Sequence, residues 1–242
     1  MKFRILLILL VAFNVNAERQ TVYLTSLEWP PYSGARLKEN GFSVAVARAA
    51  FDIMGYELEV DFNPWSRTVA SVAKKDLYIG YFPEYFFETD SFVFSEPIGT
   101  GPLGFVEAIA KPILWQSLQD LTDYRLGVVQ GYKNTAELDE LIEKGEVDWE
   151  AEIDDRHNIY KVAKGRLDLA VIDVNVFEYL VATDARADIL KSRVKMNERL
   201  LLDAELFVAF KNTEQGRKWR GVFNEGLKQV DIDAIAQRLN HK

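Results

Sequence analysis

The chain lacks cysteine altogether and has only two histidines, His157 and the penultimate His241. Without cysteine there can be no disulfide, no thiolate nucleophile, no Cys-ligated metal and no lipid-modified N-terminal Cys. Two histidines leave no set for a zinc site or a Ser-His-Asp triad. Basic residues are also scarce, with 29 Lys and Arg against 37 Asp and Glu and a net charge of -8. That charge repels phosphate backbones and anionic lipid, so no nucleic-acid partner is expected. No cofactor or metal is expected either. What remains is 242 residues, 48% of them hydrophobic, enough for one large domain or two lobes of about 100 to 150 residues each.

Long apolar runs are equally rare. The one such stretch lies in residues 1 to 17, MKFRILLILLVAFNVNA, where Lys2 and Arg4 precede an apolar run from Ile5 to Phe13 and Val15-Asn16-Ala17 follows it. The run is well short of the ~20 residues that span a bilayer. Charged start, apolar middle and small residues at the end read as a secretory signal peptide cut after Ala17. Loss of Lys2 and Arg4 takes the basic count from 29 to 27 against 37 acids, a net charge of -10.

After this segment, short β-rich runs alternate with helical patterns, the rhythm of βα units around largely parallel sheets. Thr21 to Ser26 reads as a strand. From Phe42 to Met54 the stripe Val46, Ala49, Ala50 and Ile53 predicts a helix closed at Gly55. Tyr56 to Phe62 alternates as a strand, a helix follows Pro64, and Leu77 to Phe82 returns as a buried strand. Arg125 to Val129 predicts a strand, and the Asn134/Glu137 spacing predicts a helix capped at Asn134. Asp155 or a neighbour caps a helix that stops at Gly165, and Leu167 to Ile172 is the next strand. Leu206 to Phe210 is a strand, a helix opens at Asn212 or Thr213 with Trp219, Phe223 and Leu227 inward, and a last helix runs from Asp231 to Leu239.

Five landmarks follow one another in order: Trp29-Pro30-Pro31-Tyr32, Gly41-Phe42, Phe94-Ser95-Glu96-Pro97, Val128-Val129-Gln130-Gly131, and Gly165-Arg166-Leu167-Asp168 leading to Asp173. In this order they resemble the family 3 periplasmic solute-binding proteins, typified by receptors for polar amino acids, from about Val22 to Leu239. The resemblance implies an α/β fold of the type II kind, with two lobes, two crossover strands and a cleft that closes on a ligand by hinge motion. Lobe 1 would comprise residues 18 to 105 and 200 to 242, lobe 2 residues 106 to 199, with crossovers at Leu103 to Ile109 and Met196 to Asp203. It also implies a monomer in the bacterial periplasm that serves an inner-membrane ABC permease or a sensor.

Candidate ligand residues come from both lobes. Asp173 closes the apolar strand Leu169 to Ile172, where open α/β sheets present ligand groups. It matches the family position that grips an ammonium group, and Asp is also a favoured helix cap. The loop Gly131, Asn134 and Thr135 precedes a helix, whose N-terminus attracts anions. Trp29 and Tyr32 sit in a proline-stiffened loop where rings would cover a cation or aliphatic part. Arg67, in Pro64-Trp65-Ser66-Arg67, offers a fork for a carboxylate.

One segment departs from the family. Amino-acid receptors of this kind carry an arginine for the ligand α-carboxylate in a Thr-Pro-Glu-Arg-like motif, but here Phe82 to Phe94 holds Glu84, Glu88 and Asp90 and no Lys or Arg. Tyr81, Phe82, Glu84 and Tyr85 better suit an amine or aromatic solute. The leading expectation is therefore a small polar or amine-bearing, amino-acid-like ligand and no enzymatic activity. An alternative is an enzyme like the cyclohexadienyl dehydratases, which share this fold, with Glu84 and Glu88 as its acids.

Overall fold

The structure, a computed structural model, describes residues 19 to 240, so the signal-peptide reading of residues 1 to 17 lies outside the described residues. The first lobe begins with β1 (Thr21–Ser26), α1 (Phe42–Ile53), β2 (Glu57–Phe62), α2 (Trp65–Lys74) and β3 (Tyr78–Tyr85). β1 pairs in parallel with both β2 and β3. A short strand, β4 (Phe92–Phe94), precedes the long β5 (Gly99–Ala108). The second lobe holds β6 (Arg125–Val129), α3 (Ala136–Glu143), β7 (Asp148–Glu152), α4 (Asp155–Ala163), β8 (Leu169–Asp173), α5 (Val174–Thr183), α6 (Ala187–Lys191) and β9 (Val194–Met196). There β6 runs parallel to β7 and β8. The chain then returns through β10 (Leu202–Lys211) and ends in α7 (Glu214–Leu227) and α8 (Ile232–Leu239).

Two strands join the lobes by changing partners midway. β5 pairs with β10 over Gly99–Leu103 and with β8 over Leu103–Glu107. β10 in turn pairs with β5 over Leu202–Leu206 and with β3 from Leu206 to Phe210. The joining ladder is thus Gly99–Leu103 on Leu202–Leu206. The expected crossover segments, Leu103 to Ile109 and Met196 to Asp203, overlap it only at their edges. Met196 instead closes β9, a short strand that pairs with the far end of β5. Among the described residues these are the strands that change partners between the two halves of the sheet.

Of the expected α1 stripe, Val46 and Ala50 are buried, but Ala49 is half-buried and Ile53 is exposed. The inward face is instead turned toward Val44, Ala47 and Phe51, because Phe51 packs on Phe223 and Trp219 of α7. Gly41 starts α1 at φ 97°, where a Cβ would lie 2.5 Å from the Tyr32 carbonyl oxygen, so the turn that brings the Tyr32 loop against this helix requires glycine. Among the described residues no helix is long and apolar enough to cross a membrane.

Candidate ligand cleft

Trp29 and Tyr32 are set by a tight turn, in which the backbone N–H groups of Tyr32 and Ser33 both donate to the Trp29 carbonyl at 3.0 and 3.1 Å. The two rings lie 4.7 Å apart, tilted by 30°. Across the cleft, Asp173 ends β8 and caps α5, accepting the Val176 N–H at 3.0 Å. Its two oxygens each lie 3.1 Å from the Tyr32 hydroxyl, and Oδ2 accepts the Tyr85 hydroxyl at 3.2 Å. Asn175 donates to the Tyr32 oxygen at 2.7 Å. A second tie between lobes runs from the Trp65 indole N–H, at the start of α2, to the Gly131 carbonyl at 2.9 Å.

Beside these ties lies a small cavity. Trp29, Trp65, Tyr85 and Tyr132 wall it, and Glu84 and Lys133 are its charged members. Trp29 meets Tyr85 and Tyr132 edge-on at 6.0 and 6.4 Å, and Trp65 meets Tyr132 edge-on at 5.8 Å. Glu84, 5% exposed, accepts the Tyr85 backbone N–H at 2.9 Å and the Tyr81 hydroxyl at 3.3 Å.

The buried acids of this region carry unfavourable charge. Desolvation pushes the Glu84 carboxyl up to about 8, against the pull of the Tyr85 N–H, the Tyr81 hydroxyl and Lys133. Asp155, the first residue of α4 and also buried, is pushed up to about 7 by desolvation and by the charges of Asp173 and Asp154. Asp173 rises to about 6 through desolvation, held back by the Val176 N–H and the two tyrosines. The Trp29 indole N–H is buried without a hydrogen bond, although its proximity still favours the ionised form of Asp155. Burial thus holds Glu84 mainly protonated near neutral pH and Asp155 about half so, and a cation placed beside them favours their ionised forms.

The predicted residues fall into three groups. Trp29 and Glu84 line the cavity, and Gly131 contributes its carbonyl to the lobe tie. Tyr32, Tyr81 and Asp173 stand behind the wall as its buried supports, at no more than 1% exposure. Arg67, Asn134 and Thr135 do not line the cavity. Arg67 is exposed on α2. Asn134 does not cap α3 but donates to Asp139 at 2.7 Å, while Thr135 is the cap and accepts the Leu138 N–H at 3.2 Å. The anion-binding character expected of this loop is therefore spent on its own helix. Glu88 is exposed and lies outside the cavity.

Four residues of this region are absent from the sequence-based candidates: Trp65, Tyr132, Lys133 and Asp155. For Trp65 the available signal is a tryptophan opening a helix two positions before the candidate Arg67. Tyr132 and Lys133 follow the flagged Gly131 directly. The cap expected at Asp155 or a neighbour is Asp154, which accepts the His157 N–H at 2.9 Å, and this leaves Asp155 as a buried acid beside Asp173.

Comparison with protein-family models and with curated proteins yields no match. Solved structures do match. A histidine kinase sensor domain with similarity to periplasmic binding proteins is 18% identical with a TM-score of 0.76, over 91% of this chain and 96% of that one. An ancestral arginine-binding protein bound to arginine is 17% identical with a TM-score of 0.74, over 91% and 98%. The ancestral amino acid-binding protein AncCDT-1, a precursor of cyclohexadienyl dehydratase, is 18% identical with a TM-score of 0.69, over 90% and 93%. The chain therefore has the two-lobed periplasmic-binding-protein-like fold. At such identities the likeness establishes fold, while function rests on the site.

Proposed function

We propose that this protein is an exported solute-binding protein of the family 3 kind, which captures a small amine-bearing solute, amino-acid-like in size, by closing its lobes. Lobe 1, residues 18 to 105 and 200 to 242, and lobe 2, residues 106 to 199, then act as the two jaws. The observation that carries the reading is the cavity between them, which joins a buried acid, Glu84, to four aromatic walls and lies beside ties that reach from one lobe to the other. A cation entering it neutralises charge that burial disfavours, and charged partners in a dry site bind strongly. No arginine is among the described residues that line the cavity, so the α-carboxylate of a standard amino acid lacks its usual anchor. In this reading the protein works in the periplasm as a monomer, handing its ligand to an ABC permease or a sensor.

A thermal-shift screen of purified protein against amines, polyamines, standard L-amino acids and small aromatic acids tests this. A ligand at 100 times its dissociation constant stabilises the native state by about 2.7 kcal/mol. Amine-bearing cations are expected to give the largest shifts. If acids or neutral solutes shift the protein while every amine fails, the reading is wrong.

One observation favours a second reading, as a lyase. Glu84, pushed up to about 8, is a carboxylic acid that keeps its proton near neutral pH beside a cavity, as a general acid must. Incubation with prephenate or arogenate decides it, since an aromatic product would establish the enzyme and unchanged substrate would dismiss it.

A further inference from the structure

We propose that the protein holds a second ligand site, a separate chamber walled by Trp29, where Asp155 and the Trp29 indole N–H together take a protonated amine that also carries an oxygen acceptor, as an amino alcohol does. Trp29 lines both the Glu84 cavity and this chamber, whose volume is about 250 Å³. At ~30 Å³ for each water, that is room for roughly eight waters or one small solute. The site does not use Glu84, so it stands or falls independently of the reading above.

Both lobes build the chamber. Glu28 and Trp29 come from the loop after β1, Asp155 opens α4, and Val176 and Leu180 come from α5. Asp155 is 5% exposed and Trp29 6%. The charges that act on the Asp155 carboxyl are those of Asp173 and Asp154, both acids. The Trp29 indole N–H is near enough to favour ionised Asp155, yet it makes no hydrogen bond. A buried acid without a counter-ion and a buried donor without an acceptor therefore border one space. Each unpaired group is destabilising, and in a folded protein each calls for an explanation. One small molecule answers both. Its ammonium brings N–H donors and a positive charge to Asp155, and an oxygen close by on the same molecule accepts the Trp29 N–H. Val176 and Leu180 supply apolar surface for its carbon stem, while Glu28 and Asp154 add negative charge to the lining. Arg156 also lines the chamber, but the Asp184 carboxylate already meets its guanidinium at 2.6 Å. An anionic ligand thus finds no unpaired cation among the described residues that line it.

Ethanolamine and propylamine differ by a hydroxyl in place of a methyl group, so calorimetry of the purified protein with these two probes separates the two demands. Ethanolamine is expected to bind roughly 2- to 10-fold more tightly, the worth of one neutral hydrogen bond. Its binding should also move the Trp29 indole signal in proton–nitrogen correlation spectra, a signal assigned by its loss in Trp29→Phe. Asp155→Asn, which keeps the shape and removes the charge, should weaken ethanolamine at least ~30-fold. Trp29→Phe should bring ethanolamine down to the level of propylamine. Ethanolamine that fails to bind, binds no more tightly than propylamine, or binds Asp155→Asn unchanged overturns the second site. If Glu84→Gln abolishes its binding while Asp155→Asn spares it, the solute sits in the Glu84 cavity, and the proposed function stands without the second chamber.

Discussion

Glu84 carries a burden that most surface acids do not, because its charge has been moved out of water without a buried cation to meet it. Its carboxyl titrates near 8 in the folded chain against an ordinary 4.5. Between those values the folded protein holds a proton that the unfolded chain has released. The unfolded state then binds fewer protons, so the stability of the ligand-free protein falls as pH rises through that window. Asp155 and Asp173, pushed up to about 7 and about 6 from 3.8, add slopes of the same sign over lower windows. A cationic ligand acts oppositely, since it favours the ionised acids, and its affinity should rise from about pH 6 to about pH 8. Glu84→Gln should flatten both trends, in melting curves without ligand and in calorimetry with it. It should also weaken the ligand by roughly 30-fold to several thousand-fold, the usual cost of removing one partner from a desolvated charge pair. Asp173→Asn should cost less, because Asp173 supports Tyr32 and Tyr85 rather than lining the cavity, and asparagine caps a helix about as well as aspartate. An Asp173→Asn loss larger than that of Glu84→Gln would invert the assigned roles.

At the scale of elements, legibility followed how local the cause was. β1, the bounds of α1, and the helix opened by Thr213 were readable because alternation, a 3.6-residue stripe and a capping side chain each act within a few residues. The end of β3 was not. Pro83 and the charge of Glu84 argue against a buried strand, so the sequence pattern stops it at Phe82, whereas the strand runs on to Tyr85 with every residue buried. The continuation is a tertiary effect. Pairing with β1 ends at Tyr81, and beyond it Glu84 and Tyr85 pair only with Phe207 and Leu206 of β10. A strand with one neighbour tolerates proline where a central strand does not. Likewise, which of Asn134 and Thr135 caps α3 could not be read from spacing, since both are favoured cap residues and the choice turned on Asp139 reaching back to Asn134. That assignment has a measurable consequence. Thr135→Ala should destabilise the protein by about 1 kcal/mol, roughly 2 to 4 °C in Tm, and leave ligand affinity unchanged. A loss of affinity without loss of stability would return Thr135 to the ligand site.

For the whole molecule, the decisive feature is that the strands joining the lobes also pass directly beneath the site. Gly101 of β5 pairs with Ala204 in the joining ladder. A Cβ built on it would lie 2.8 Å from Asp173 Oδ2 and 3.1 Å from the Tyr85 hydroxyl. Its φ is not in the left-handed region, so the conflicts Gly101→Ala creates are steric, chiefly with that carboxylate and that hydroxyl, with the Leu206 methyl at 3.2 Å as a third and more yielding neighbour. Neither can swing aside cheaply, because Asp173 is held by the Val176 N–H and by Tyr32, and Tyr85 by its bond to Asp173. The methyl group must therefore be relieved by parting β8 from β3, which is the movement that opens the cleft. Closure would then cost more while the ligand's contacts in the closed state stay the same, and apparent affinity falls in proportion to the closed fraction that remains. Gly101→Ala should accordingly bind the ligand more weakly, by about 10-fold for each 1.4 kcal/mol added to closure. Small-angle scattering should show a larger radius of gyration than the parent at subsaturating ligand, converging on the parent value at saturation. Affinity and radius both equal to the parent's would mean that the carboxylate and hydroxyl yield locally, and that the joining strands do not transmit closure to the site.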